Sequence, residues 1–529
     1  IYLETGTTVG SRYRTLIIDN NNYVSDHATR LADASVEAYV VDKIIVNRKA
    51  RLGITKGGAN AGDVSTLTTS IMEGDKTGHI QFVEDTEFIV LSGTSSSELT
   101  STQTTVTSPG SDKLTKTLVT EYATQALVND DVNMDFQQGS QLTVPANVAF
   151  EGVTAVLRGV LKGILHLKVS TGGTVEITNT GMTHGKTAGL YDFTSVRSDN
   201  NGIYKATSVI GNKIRITTTA NMDFLGTSVF YYAGKLELKA ADINLADTAS
   251  MNGDGGGYLE NTAATGCTGY TGSRAGGAHG GFTAGSGSVG TPCGLYKTPS
   301  IPGAGGRGNG GSAGKGGAAL KVEATNFAVD GTISGNGGNA YTSCNSYYGG
   351  GGAGGSLWFD VTKFSGSGLV RVNGGSGSGC SSQYGGSGSG GRMAIHSNLN
   401  NYTGTYEAFS KNYVNSAYTS AAGTIYLETG TTVGSRYRTL IIDNNDVDST
   451  HSTRLTDGVL SYAMDKIIVR NKAIFGVSRG VSGNPEAATV LSASVIEGDR
   501  TGKFEFVEYT NLNILSGTST SELQSFVNS

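Results

Sequence analysis

GGAALKVEATNFAVDGTISGNGG (residues 316–338) decides the fold, because the chain writes it again. GGSLWFDVTKFSGSGLVRVNGG (354–375) follows in the same order, with Phe327 answered by Phe364 and Gly338 by Gly375 at one constant spacing. GKLELKAADINLADTASMNGDGG (234–256) is an earlier echo. Each copy reads as strand, turn, strand and glycine loop. Strands this short cannot bury a face alone, but stacked coils can. Gly and Asn at the corners supply the positive-φ conformations that let a chain turn sharply between strands. The expectation is an all-β fold with little helix, a parallel β-solenoid or β-helix-like repeat rod with Gly-rich loops. The alternative is a β-sandwich with loose glycine loops.

A longer repeat encloses the short one. IYLETGTTVGSRYRTLIIDNN (1–21) returns unchanged at 425–445. VDKIIV (41–46) returns as MDKIIV (464–469), EGDKTG (73–78) as EGDRTG (497–502), and LSGTSSSEL (91–99) as LSGTSTSEL (515–523). The offset that carries Ile1 to Ile425 also carries Leu99 to Leu523, with a slip by one position near Asp42 and Asp465 that is later restored. The first copy opens within a phrase that the second copy begins at Gly423-Thr424. This organisation predicts a window on a longer tandem array, of a kind usually structural.

Four passages follow from composition and strand content. Residues 1–108 are a β-rich repeat segment, 109–233 a second β-rich segment, 234–423 a Gly-rich solenoid carrying all four cysteines, and 424–529 the second copy of the first segment. In the second passage, glycines at 159 and 163 and the alternation of Leu165, Leu167 and Val169 favour short strands over a helix. Residues 112–128 form one candidate helix, with Leu114, Leu118 and Tyr122 on one face. The chain has 79 Gly and 6 Pro in 529 residues and a net charge of −5. It lacks a strict G-X-Y period, which excludes collagen. Its recurrent Val, Ile, Leu, Phe and Tyr argue against disorder. The absence of a Lys/Arg cluster argues against nucleic acid. No apolar run reaches the ~20 residues that span a bilayer.

The cysteines follow the short repeat. Cys344 comes shortly after Gly338, and Cys380 at nearly the same place after Gly375, so stacking brings them together. The expected pairs are Cys344–Cys380 and Cys267–Cys293. Disulfides imply an oxidising, extracellular setting. Zinc competes poorly, because the chain has no C-x-x-C and no His beside a Cys.

HGGFTAGSGSVGTPCGLYKTPSIPGAGG (279–306), GGGGAGGSLWF (349–359), GGSGSGGRMAIH (385–396) and AAGTIYLETG (421–430), read in order with residues 316–338, resemble known sequences. They are similar to the glycine-rich β-solenoid regions of very large secreted or surface proteins of bacteria and protists. The resemblance covers residues 279–430 and only loosely the strand-rich passages. It implies a surface or fibre role and carries no catalytic residues.

Chemistry is sparse. Residues 303–308 fit G-x-G-x-x-G and 310–314 fit G-x-S-x-G, but neither has the strand–turn–helix frame it needs. Both read as solvated corner loops. His166, between Leu165 and Leu167, reads as an outward strand residue, and His279 in GGAHGG as packed in a turn. The dense acidic cluster is Asp130, Asp131 and Asp135, which reads first as a solvated turn, then as a candidate Ca²⁺ site with neighbouring Asn oxygens, and last as a catalytic set. Asp254 is a further candidate Ca²⁺ contact, and Asn401-Tyr402-Thr403 is a glycosylation sequon.

The sequence therefore points to a non-enzymatic structural segment of an extracellular tandem-repeat fibre or surface filament. Its partners would be neighbouring copies joined head to tail, with glycans as a further candidate. The Gly-rich passage should pack directly on the IYLET and TLIID strands of the following copy. An adhesin or carbohydrate-binding surface protein is the second reading. A β-helix polysaccharide lyase or hydrolase is the third, and it would need carboxylates converging on one groove.

Overall fold

In the computed structural model the described residues run from 1 to 515, with gaps. Residues 91–125 and 516–529 lie outside them, as do shorter segments that include 8–11, 25–27, 32–37, 55–64, 179–189, 342–347 and 478–488. Between 70 and 195 only backbone strands are described.

The chain is all-β, with large, mainly parallel sheets. Among the described residues the sole helical element is a single 3-10 turn, Ser416–Tyr418. The candidate helix over 112–128 lies mostly outside them, and its last residues form the strand Ala126–Val128 instead. That strand pairs in parallel with Asn147–Glu151. Two compact units are resolved: 1–208 with 214–231 and 240–249, and 209–213 with 232–239 and 250–529.

In the first unit, short strands pair in parallel with the strand two or three elements on. Tyr13–Asp19 pairs with Lys43–Asn47, and that strand with Ile71–Gly74. Inward positions alternate with solvent positions, as in Ile203–Thr207 and Ile214–Thr218. This is the period-two burial of a pleated sheet. Tyr204, Phe224 and Phe230 close this core with ring centroids 5.5–6.1 Å apart.

In the second unit the short echo is a direct register. Ala319–Val329 pairs with Ser356–Gly366 so that Phe327 faces Phe364, and Thr332–Ser334 pairs with Leu369–Arg371. Ser356–Gly366 pairs in turn with Arg392–Tyr402. The aromatic column Phe327, Phe364, Tyr402 continues through these steps at 5.7 and 4.8 Å. Amide donors link the corners: Asn336 N–H to Asp254, Asn373 N–H to Asn336 and Phe409 N–H to Asn373, at 2.7–3.0 Å.

The glycine segments are not solvated corners. Gly303, Ala304, Gly305, Gly306 and Ser312 are buried, which corrects the reading of both motifs as exposed loops. In 350–355, the donors of Gly350 and Ala353 go to Arg307 and Ala304. Those of Gly351 and Gly354 go to Gly386 and Ser389, and those of Gly352 and Gly355 to Gly338 and Gly335. Residues 386–391 repeat the pattern. Gly386 and Ser389 donate to Arg274 and Gly277, Ser387 and Gly390 to Tyr418 and Ala421, and Gly388 and Gly391 to Gly375 and Val372. Serving three neighbours in rotation gives the backbone a threefold period, that of the polyproline II helix. Surrounded on three sides by other backbones, these segments admit only the small side chains of Ala353, Ser387 and Ser389 between their glycines. A Cβ on Gly352 would collide with the Lys315 carbonyl, and one on Gly388 with the Gly352 carbonyl. Glycine is therefore required here mostly for close approach, and at few positions for positive φ.

The two copies of the long repeat fold alike wherever both are described. Tyr2–Thr5 and Thr424–Thr429 each form an antiparallel pair with the next strand, Tyr2 facing Leu16 and Tyr426 facing Leu440. Consecutive positive-φ residues fall at the same corners: Asn21 and Asn22 against Asn445 and Asp446, Arg48 and Lys49 against Asn471 and Lys472. Each pair sits inside an i→i+3 hydrogen bond, as in a type I′ turn. The slip by one position falls between strands. Thr15 pairs with Lys43, and its counterpart Thr439 with Lys466, a span shorter by one position. Leu16 still faces Ile44 and Leu440 still faces Ile467, since a shift by one within a strand would turn every apolar side chain outward.

Candidate functional site

The chemistry-bearing side chains of the second unit meet at one seam, where the Gly-rich passage covers the second copy. Strand Arg392–Tyr402 pairs in parallel with Thr424–Thr429, Arg392 facing Thr424 and Ser397 facing Thr429. Gly423 leads into it without a spacer: its N–H donates to Ala408, and a Cβ there would strike the Gly391 carbonyl.

Arg392 is fully buried. A guanidinium in the interior needs acceptors for its fork of N–H groups. Its Nε donates to the Cys293 carbonyl at 2.7 Å and its Nη1 to Thr424 Oγ1 at 3.3 Å. Its Nη2 donates to the Arg454 carbonyl at 2.9 Å and to Thr456 Oγ1 at 3.1 Å. One side chain thus ties the cysteine loop, the first strand of the second copy and its Thr453–Arg454 strand. Thr456 Oγ1 donates back to the Gly294 carbonyl at 2.9 Å.

The cysteine loop is fixed by the Cys267–Cys293 disulfide, packed with Ala264 and Ile301. A loop of that span contributes about 3–4 kcal/mol in the chain-entropy model. Gly294 takes φ +75°, which lets the chain turn directly after Cys293 and present Tyr296. Tyr296 is buried among Tyr426, Leu440, Leu455, Tyr462 and Met464. Its ring meets Tyr426 edge to face at 5.2 Å and Tyr462 at 6.0 Å. The Lys297 ammonium lies 5.6 and 5.9 Å from the Tyr296 and Tyr426 rings, within cation–π range.

Behind the loop, His279 is buried and binds the Gly354 carbonyl through Nδ1 at 2.8 Å, so Nδ1 carries the proton. Burial, reinforced by the Arg392 charge, lowers its pKa to about 4 against the pull of two carbonyls. Its Nε2 lies 3.4 Å from Ser356 Oγ, which donates to the Ile301 carbonyl at 2.6 Å. Ser356, His279 and Arg392 are close together but enclosed, and their partners are main-chain carbonyls and the hydroxyls of Thr424 and Thr456. The seam's chemistry is cohesion between segments.

The other expected site residues are dispersed. Cys344 and the Cys380 side chain lie outside the described residues, as do Asp130 and Asp131. Asp135 is on strand Val132–Phe136, with its side chain outside the described set, and His166 likewise begins strand His166–Ser170. Asp254 accepts both the N–H and the Nδ2–H of Asn336, so its carboxylate links two corners. Among the described residues no three His, Cys, Asp or Glu side chains are grouped to hold a metal. No described helix is long and apolar enough to cross a membrane. Asn401 is exposed on its strand beside Ser365. Sequence reasoning missed Arg392, Tyr296 and Thr456. Their partners are remote along the chain, Arg454 for Arg392, Tyr462 for Tyr296 and Gly294 for Thr456, and no local pattern marks them. Comparison with protein-family models, curated proteins and solved structures finds no match.

Proposed function

We propose that the chain is a structural, non-enzymatic segment of an extracellular tandem-repeat fibre or surface filament, built of β-solenoid coils. The observation that carries this reading is the seam. The Gly-rich passage joins the next copy of the repeat through a continuous parallel ladder and a buried arginine, with no linker between them. A protein whose polar groups are turned inward to hold coil on coil is suited to bearing load. The Cys267–Cys293 bond supports an oxidising compartment. Electron microscopy of the native material tests the reading. Straight filaments with an axial repeat on the order of 50–100 Å, from ~4.8 Å per coil, are expected. Beads on thin flexible linkers, or turnover of a polysaccharide by the purified protein, would overturn it.

A further inference from the structure

The first copy of the repeat carries a cavity of about 480 Å³ where the second copy carries Tyr296. The cavity is lined by Tyr2, Arg14, Leu16, Leu31, Tyr39 and Val41, among others. Their counterparts in the second copy are Tyr426, Arg438, Leu440, Leu455, Tyr462 and Met464, of which only Met464 differs, standing for Val41; Val40, which also lines the cavity, is answered by Ala463. Five of those six counterparts belong to the cluster that buries Tyr296. Beside the cavity, strand Tyr2–Thr5 is the edge of its four-stranded sheet, whereas Thr424–Thr429 is paired on both sides. An apolar pocket beside an unpaired strand edge is a ready docking surface.

We propose that this pocket receives Tyr296, with its Gly294–Lys297 loop, from a second copy of the Gly-rich passage, while the Arg392 strand of that copy pairs with Tyr2–Thr5. The occupant is identified by the second copy, where nearly the same pocket is filled by that residue in that geometry. Lys297 would then lie over the Tyr2 ring as it lies over Tyr426. Arg392 would find the Arg30 carbonyl in place of that of Arg454. It would not find the hydroxyl of Thr456, since Ala32 stands at that position. Docking on the first copy is therefore the weaker of the two by the hydrogen bonds Thr456 makes. The proposal rests on the tandem-array reading and adds the residue that locks one unit to the next.

The test is a longer chain in which residues 234–424 are added directly ahead of Ile1 of the full protein. Tyrosine nitration read by mass spectrometry reports the pocket, and hydrogen exchange at Tyr2–Thr5 reports the strand pairing. In the protein without the addition Tyr2 should react and Tyr426 should not. In the extended chain Tyr2 should fall to the level of Tyr426. Tyr296→Ala in the added passage should restore reactivity, and Tyr296→Phe, which keeps the ring, should keep the protection. A Tyr2 that stays reactive while its strand becomes protected would overturn the tyrosine lock and leave the array reading standing. Absence of both protections would overturn both. Loss of protection in the Phe variant, as in the Ala variant, would also overturn the lock.

Discussion

Residues 1–21 and 425–445 are the same stretch of sequence in two settings. They make the same strands, the same antiparallel register and the same positive-φ corner. Their burial differs. Ile1 is 75 % exposed and Ile425 2 %; Tyr2 is 53 % exposed and Tyr426 0 %. Local sequence specifies the hairpin and its turns, while burial of its outer face depends on whether a Gly-rich passage lies against it. Ile1, Tyr2 and Leu3, on alternate faces of that edge strand, make sense as residues written for a neighbour, since exposed they contribute little.

The largest expected difference is between Tyr426→Ala and Tyr2→Ala. Removing the buried ring should cost about 3–5 kcal/mol, and removing the exposed one less than about 1 kcal/mol. Denaturant titration of both variants checks this, and equal losses would break the comparison.

Acid should separate the copies next. The pKa of His279 is about 4 in the fold, against roughly 6.5 unfolded. Between those values the unfolded chain binds a proton that the fold refuses. The contribution of neutral His279 is therefore complete above about pH 6.5 and is lost as pH falls toward 4, on the order of 3 kcal/mol. The change should loosen 425–427 and leave 1–3 unaltered, as read by hydrogen exchange at pH 7 and pH 4.5. In His279→Asn the pH dependence of 425–427 should flatten.

Gly423→Ala should make the second copy behave more like the first. The added Cβ would meet the Gly391 carbonyl, and overpacking of this kind costs about 1–3 kcal/mol. Exchange at 425–427 should approach that at 1–3. Thr456→Ala, which gives the second copy the residue of the first, is the smallest perturbation. It removes hydrogen bonds with Arg392 and Gly294 and should lower stability by about 1–2 kcal/mol, read by the same denaturant titration.

Strand content, the parallel step from Phe327 to Phe364 and the likeness of the two copies were legible in the sequence, because side-chain alternation and the short repeat mark them. The fixed corners were half legible. Asn21-Asn22 signals a turn, but Arg48-Lys49 does not, and that corner is held by the Arg48–Asp19 bridge. The second copy builds the same bridge from Arg470 to Asp443, with arginine and asparagine exchanged between neighbouring positions. The glycine lattice was not legible. Its period of three lives in backbone donors, and a glycine carries no side chain to show which way it faces. Arg392 was hidden for a different reason: an arginine after two glycines looks solvated until the Cys293 and Arg454 carbonyls, far away in sequence, are seen to enclose it.

The most direct test of the central claim is residue-resolved hydrogen exchange of the intact chain, comparing residues 1–5 with 425–429 at neutral pH. Paired on one side, the first strand should protect only alternate amides, those facing Tyr13–Asp19. Paired on both sides, the second should protect all of them. The same protection pattern in both strands would contradict the account, because identical sequences would then be behaving identically whatever lies against them.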